Sequence, residues 1–244
     1  MIIRVAVVPH PPLLVPELVT GAVGATEPVR SACVAAARRL AEATPDWIAV
    51  AVDPAGPAVV EPERTGTFRG FGRDVRVSLA EGTAVSRPDP ELPLPALVAG
   101  WLRGQVGARR VQVHLLAPDT PVEECRSWGE RLVREQTGPV GLLVLGDGSA
   151  RHPDRAPGRP DERAPAFDAA VGEALERPDP EALLALDPAL AEELTVVGRA
   201  AWQALAGAVL AEDRRWRAEL LYSAAPFGVG YHVAVWDPVT GAAT

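Results

Sequence analysis

The stretch Val140-Gly141-Leu142-Leu143-Val144-Leu145-Gly146-Asp147-Gly148-Ser149 decides how this chain is read. Its first part is apolar without interruption. A strand with one wet face alternates apolar and polar residues, so this run predicts a strand covered on both faces. Gly-Asp-Gly-Ser then ends the strand and leaves a carboxylate and a hydroxyl at its carboxyl end. Strands covered on both faces need helices above and below, and the flanking sequence supplies them. Over residues 121–136, Val122, Cys125, Trp128 and Leu132 recur at helical spacing, surrounded by Glu123, Glu124, Arg126, Glu130, Arg131 and Arg134. Helical patterning resumes over 166–210, after a charged, proline-rich segment at 151–165 that is placed to act as a lid or to lie on the surface.

The same alternation extends outward in both directions. Residues 2–9 form an apolar, β-branched run ended by prolines, and 27–43 carry Val29, Cys33, Ala36 and Leu40 on one helical stripe. A second apolar strand is expected at 47–52, halted by Asp53-Pro54, then a hairpin at 65–71 and 75–79. A short helix at 95–106, a strand at 110–116 and two closing strands at 219–223 and 229–236 complete the reading. Alternating elements with near-continuous apolar strands predict one α/β domain spanning 1–244, with a mainly parallel or mixed central sheet flanked by helices. In such sheets ligands collect at the carboxyl ends of strands. Three of those ends carry polar chemistry: His10, Asp53, and Asp147 with Ser149.

Composition narrows the chemistry. All 24 basic residues are arginine, and the chain has neither lysine nor asparagine. That excludes Schiff-base lysines, Ser-Lys dyads and phosphate loops ending in Lys-Ser/Thr. Only four histidines are present, His10, His114, His152 and His232. A net charge of -8 argues against non-specific nucleic-acid binding. No apolar run reaches the roughly 18 residues of a membrane span, and the N-terminus shows no basic region or cleavage site. Cys33 and Cys125 both fall on apolar helical stripes, which predicts buried free thiols and a cytoplasmic protein.

The segment Val7-Val8-Pro9-His10-Pro11-Pro12-Leu13-Leu14-Val15-Pro16-Glu17 holds an imidazole at a strand end between prolines that stiffen the loop. It resembles the N-terminal motif of the class III extradiol ring-cleavage dioxygenases, the LigB-like superfamily that includes the Memo proteins. Asp53-Pro54-Ala55-Gly56-Pro57 is similar to that family's Pro-His-Gly turn, and Leu145-Gly146-Asp147-Gly148-Ser149 to its Gly-Asp/Gly-x-Ser-His turn. Gly198-Arg199 with Trp202 resembles its C-terminal helix, and Pro226-Phe227-Gly228-Val229-Gly230-Tyr231 its closing strand. The resemblance implies a LigB-like fold over nearly the whole chain. It also implies a non-haem Fe(II) site of two histidines and one carboxylate, a further histidine as acid–base catalyst, and a possible homodimer.

Carried over residue by residue, the family pattern is mostly vacated. The first metal histidine matches His10. The second falls on Ala55, the acid–base histidine on Ala150, and the carboxylate near Val196, Val197 or Gly198, with Glu192 or Glu193 reachable by a shifted register. Alanine and valine have no lone pair to give a metal and no proton to transfer. The expectation is therefore a LigB-like protein without a resident cofactor that binds a small anionic or aromatic molecule. The pocket would be lined by His10, Asp53, Asp147, Ser149 and Arg151. The alternative is an active enzyme holding Fe(II) or another divalent metal through relocated ligands, with His10 joined by Asp53 and Asp147, His152 as acid–base group, and Glu219 in reserve.

Each candidate also has a plainer role. Aspartates at strand ends often cap turns, and His152 lies in a segment suited to solvent. Ser149 is not in a Gly-x-Ser-x-Gly elbow, so a hydrolytic nucleophile is not expected there. The glycine-rich turn with Arg151 and Arg155 can instead cradle an anion.

Overall fold

The computed structural model describes residues 1–19, 23–84, 87–153 and 155–239, with nothing stated for the Val23 side chain. Among these residues the main sheet has seven strands: β1 (Ile2–Val8), β2 (Asp46–Val52), β3 (Ala58–Val60), β6 (Arg110–Leu116), β7 (Val140–Leu145), β8 (Trp216–Ala224) and β9 (Tyr231–Pro238). Their order is β3-β6-β2-β7-β1-β9-β8. The four central strands, β6, β2, β7 and β1, are parallel, and β3, β9 and β8 add antiparallel margins. The sheet is thus mixed. A separate antiparallel pair joins β4 (Thr65–Thr67) to β5 (Arg76–Ser78), where the hairpin is expected.

The apolar run that opened the reading is the middle of the sheet. Every residue of β7 is buried, because β1 and β2 flank it and helices cover both faces. On one face α1 (Val23–Ala43) brings Val29, Cys33, Ala36 and Leu40 against Ala6, Val8, Leu143 and Leu145, with α2 (Leu94–Val106) beside it. On the other face lie α3 (Val122–Glu135), α4 (Ala164–Glu176), α5 (Pro180–Leu184), α6 (Pro188–Glu193) and α7 (Arg199–Ala211), packed on Val5, Val7, Val50, Leu142 and Val144. Burying these side chains supplies most of the drive to fold, at about 1.5–3 kcal/mol each.

Two features of this packing are absent from the hydrophobic pattern. Strand β3 is only three residues long and its Val59 is half exposed, so no buried run announces it. Helices α3 and α7 cross at glycine: a side chain at Gly129 would enter the backbone of Ala204 and Ala208, and one at Gly207 the backbone of Arg126. Backbones can approach this closely only where both contact positions lack a Cβ.

The connections set the location of a crevice. The chain leaves β1 for α1 on one face, whereas it leaves the neighbouring β7 for α4 on the opposite face. Loops that part in this way open a gap at the carboxyl ends of the two strands. His10 follows β1 and Asp147 follows β7, so both stand at this gap.

Candidate functional site

The two residues meet. The His10 backbone N–H donates to Asp147 Oδ1 at 2.9 Å, and the His10 Nδ1 atom lies 3.7 Å from the same oxygen. His10 is 5% exposed, and its Nδ1 is buried without a hydrogen-bond partner. A buried polar atom without a partner carries a desolvation penalty of about 1–3 kcal/mol, which a ligand offering a hydrogen bond would remove. The prolines on either side hold the loop: Leu14 N–H donates to Pro11 O and Val15 N–H to Pro12 O, closing a turn of 3-10 helix directly after His10. Arg30 of α1 clamps that turn by donating to Leu14 O at 2.9 Å.

Asp147 is held from behind, its carbonyl accepting from Gly198 N–H at 2.8 Å at the start of α7. Its charge is felt by Cys33 of α1 and by Tyr231 of β9. Burial pushes the Cys33 thiol well up, and the Asp147 charge adds to the effect. Tyr231 is raised by burial first, then by Asp147 and by Tyr222. The imidazole and the carboxylate thus share one point, and the charge of Asp147 reaches a thiol and a phenol on neighbouring elements.

The other expected site residues are placed elsewhere. Asp53 turns back on its own chain, accepting from Ala55 N–H at 2.9 Å, while its N–H donates to Leu116 O on the side of β6. Strand β7 stands between it and His10. Ser149 is wholly buried and donates its hydroxyl to Leu194 O at 2.9 Å. Arg151 reaches Thr195 Oγ1 at 3.0 Å and Arg159 O at 3.0 Å. Glu219 is an exposed partner of Arg39, and Glu193 pairs with Arg163. His152 points to Asp168, 2.6 Å from Oδ2.

Asp168 is the residue that sequence reasoning missed. It is 5% exposed on α4 and accepts from Ser149 N–H at 3.0 Å as well as facing His152. On its other side His232 Nε2 lies 3.7 Å from Oδ1, and His232 Nδ1 meets Ser223 Oγ at 3.0 Å. A signal for it exists in the sequence. Ala164, Asp168, Val171 and Leu175 share one helical stripe, so a carboxylate sits where only apolar residues are expected. Residues 155–165 of the suggested lid are anchored: Ala156 N–H donates to His152 O, Asp161 N–H to Arg151 O, and Arg163 pairs with Asp161. Position 154 lies outside the described residues.

The Fe(II) site implied by the family resemblance needs two imidazoles and a carboxylate on one point. The residues here do not fit it. Among the described residues His10 meets Asp147 alone of the expected ligands, the Ala55 side chain has no donor atom to offer, and Asp53 turns back on its own chain. Among the described residues no group of three or more His, Cys, Asp or Glu side chains is arranged to hold a metal ion.

A groove of ≈ 890 Å³ lies elsewhere, at the sheet margin between β3, β6 and α3, lined by Val59, His114, Trp128 and Arg131. The His114 and Trp128 rings meet edge-on at 5.3 Å, and burial lowers the His114 pKa. Volume alone does not mark a site. The β1/β7 strand ends hold a buried imidazole nitrogen without a hydrogen-bond partner, and it is such unsatisfied groups that mark a site.

No family model matches the sequence, and no curated protein sequence matches it. Among solved structures the chain is similar to an uncharacterized protein, JW3007, from Escherichia coli K12. The TM-score is 0.50 at 12% identity, covering 96% of this chain and 99% of that one. At that identity the likeness concerns the fold: a single-domain α/β architecture with a mixed central sheet. Among the described residues no helix is long and apolar enough to cross a membrane.

Proposed function

We propose that this chain is a LigB-like scaffold that has lost the iron site of the extradiol dioxygenases and binds a small aromatic molecule in the β1/β7 crevice. The observation that carries the reading is the His10 Nδ1 atom, buried and unpartnered 3.7 Å from the Asp147 carboxylate. A phenolic hydroxyl donating to His10 Nδ1 would remove that penalty, and a second hydroxyl could donate to the carboxylate. The aromatic class is preferred over the anionic one. Arg151, the cation nearest in sequence, is engaged by Thr195 and Arg159, and an anion would face Asp147 unscreened. Loss of ring cleavage follows from Ala55 and Ala150, and from His152 being held by Asp168.

The test is calorimetric titration with catechol and with 3,4-dihydroxybenzoate, alongside oxygen uptake in the presence of added Fe(II). Binding of catechol that weakens at least tenfold in His10→Ala, with no oxygen consumed, is the expected result. Stoichiometric iron binding with ring-cleaved product would overturn it.

A further inference from the structure

The Asp168 cluster lies on the face of the sheet opposite to Cys33 and Tyr231, and the proposed aromatic site gives it no part in ligand binding. Its cost is considerable. A carboxylate that is 5% exposed and an imidazole that is 2% exposed are placed side by side in an apolar layer, and His232 Nε2 has no hydrogen-bond partner. Burying a charge and leaving a polar atom unsatisfied both destabilise a fold, and such arrangements concentrate where chemistry needs them.

Three segments have been cleared of side chains to accommodate it. A Cβ at Gly148 or at Gly230 would run into the Asp168 carboxylate, and one at Gly172 would lie 3.1 Å from Ser223 Oγ. Alanine at the first two positions would displace the carboxylate. The sequence thus keeps glycine in the turn after β7, in α4 and in the turn before β9, around one aspartate, one histidine and one serine.

The order of contacts is that of an activated hydroxyl. Ser223 is exposed on β8, the marginal strand, and is the cross-strand neighbour of His232 on β9. Its Oγ lies 3.0 Å from His232 Nδ1. The opposite nitrogen, Nε2, faces Asp168 Oδ1 at 3.7 Å. Asp168 is itself fixed, its Oδ2 by His152 at 2.6 Å and its Oδ1 by Ser149 N–H at 3.0 Å. The Trp202 ring meets His232 edge-on at 6.1 Å and restricts its rotation. A proton on Nε2 would point at the carboxylate, which leaves Nδ1 as the base toward the serine. The ring is turned over relative to the usual serine triad. The relay requires only that one nitrogen accept from the hydroxyl while the other is held by a carboxylate. The 3.7 Å separation is long for a hydrogen bond, and such contacts often tighten only when the imidazolium forms.

We infer that Ser223, His232 and Asp168 form a nucleophilic triad on the outer strand, able to accept an acyl group from small activated carboxylic esters. Ser223 Oγ bonds to the ester carbonyl carbon while its proton passes to His232 Nδ1. The carbon–oxygen bond to the leaving group breaks and that alkoxide takes the proton. Water then attacks the acyl carbon, losing a proton to His232 Nδ1; the bond from that carbon to Ser223 Oγ breaks, Oγ takes the proton back from His232, and the carboxylic acid leaves.

The experiment treats the full chain with a fluorophosphonate probe and, separately, with p-nitrophenyl acetate, reading intact mass, the labelled peptide and p-nitrophenol release. A single phosphonyl adduct on Ser223 is expected. It should be lost in Ser223→Ala and formed at least tenfold more slowly in His232→Gln, with ester hydrolysis falling in parallel. Ser223 is on the surface, so its alanine variant keeps the fold. Ser223→Cys separates activation from structure, since its thiol should alkylate with iodoacetamide at least several-fold faster than the same thiol in the Ser223→Cys, His232→Gln double variant. No adduct on the native protein, labelling that survives Ser223→Ala, or an unreactive Ser223→Cys thiol would each overturn the inference. None of these outcomes bears on aromatic binding at His10.

Discussion

Replacing Asp168 by asparagine measures how much of the candidate site's order rests on one buried charge. The side chain keeps its shape, and one oxygen can still accept from Ser149 N–H, now 3.0 Å away. What changes is the charge. The bond from Ser149 falls from a charge-assisted one, worth about 1.5–3 kcal/mol, to a neutral one of about 0.5–1.5, a loss of about 1 kcal/mol. The pair with His152, at 2.6 Å and with the imidazole 18% exposed, loses a comparable amount or more, about 1–2 kcal/mol after discounting for solvent. Asparagine also relieves the desolvation of the carboxylate, so the net falls near the lower end, about 2 kcal/mol. For a chain of this size about 2–4 °C of melting temperature accompanies each kcal/mol, giving a drop of about 4–8 °C. Thermal unfolding followed by circular dichroism is the assay. The double variant with His152→Ala should lose less than the two single losses added, because the two residues share one contact. A melting temperature within about 1 °C of the native value, or full additivity in the double variant, would refute the placing of Asp168 as the hub.

Three further outcomes follow from the packing. Gly129→Ala and Gly104→Ala are the same substitution with opposite signs. At Gly129 the methyl enters the backbone of α7 and should lower the unfolding free energy measured in urea by about 1–3 kcal/mol, whereas Gly104 has open space and should gain about 0.5–1 kcal/mol of helix propensity. Arg199, 4% exposed, donates to Pro118 O, Thr120 O and Gln203 Oε1 and has no carboxylate partner among the described residues, so Arg199→Leu should cost about 2–3 kcal/mol in urea unfolding through the loss of these charge-assisted hydrogen bonds. Burial raises the Cys125 thiol to about 11 and pushes Cys33 well up, so neither should react with a disulfide reagent at pH 8 until the chain unfolds. The same shift fixes a pH dependence. A thiol whose folded pKa is raised contributes stability fully below its unfolded value of about 9, and loses it as pH rises toward about 11, so denaturant midpoints should fall across that window.

Much of the fold was legible because it is written in uninterrupted apolar runs. Strands β6 and β7 match their expected bounds of 110–116 and 140–145, and α3 is within a residue of its expected ends. Strand β3 was not legible, since three residues at a sheet margin have no period to read and gain their place only by pairing with His114 and its neighbours on β6. The candidate site divides in the same way. His10 and Asp147 were both readable as strand-end residues, and the structure adds that they meet. Asp53 has an equally polar strand end, but its strand lies beyond β7, and its carboxylate serves its own turn.

Sequence alone determined that the chain is an α/β protein with buried central strands and that lysine chemistry is excluded. These are local facts, since periodicity and residue identity need no partner. Only the tertiary structure decided which polar groups share a point. Strand order put β1 next to β7 and so joined His10 to Asp147 across 137 residues of chain. The packing of α4 on β8 and β9 brought Asp168 to His232 and Ser223, and drew His152 away from the crevice toward that carboxylate. Side-chain chemistry acts over a few ångströms, and contacts at that range between distant segments are set by how the elements pack.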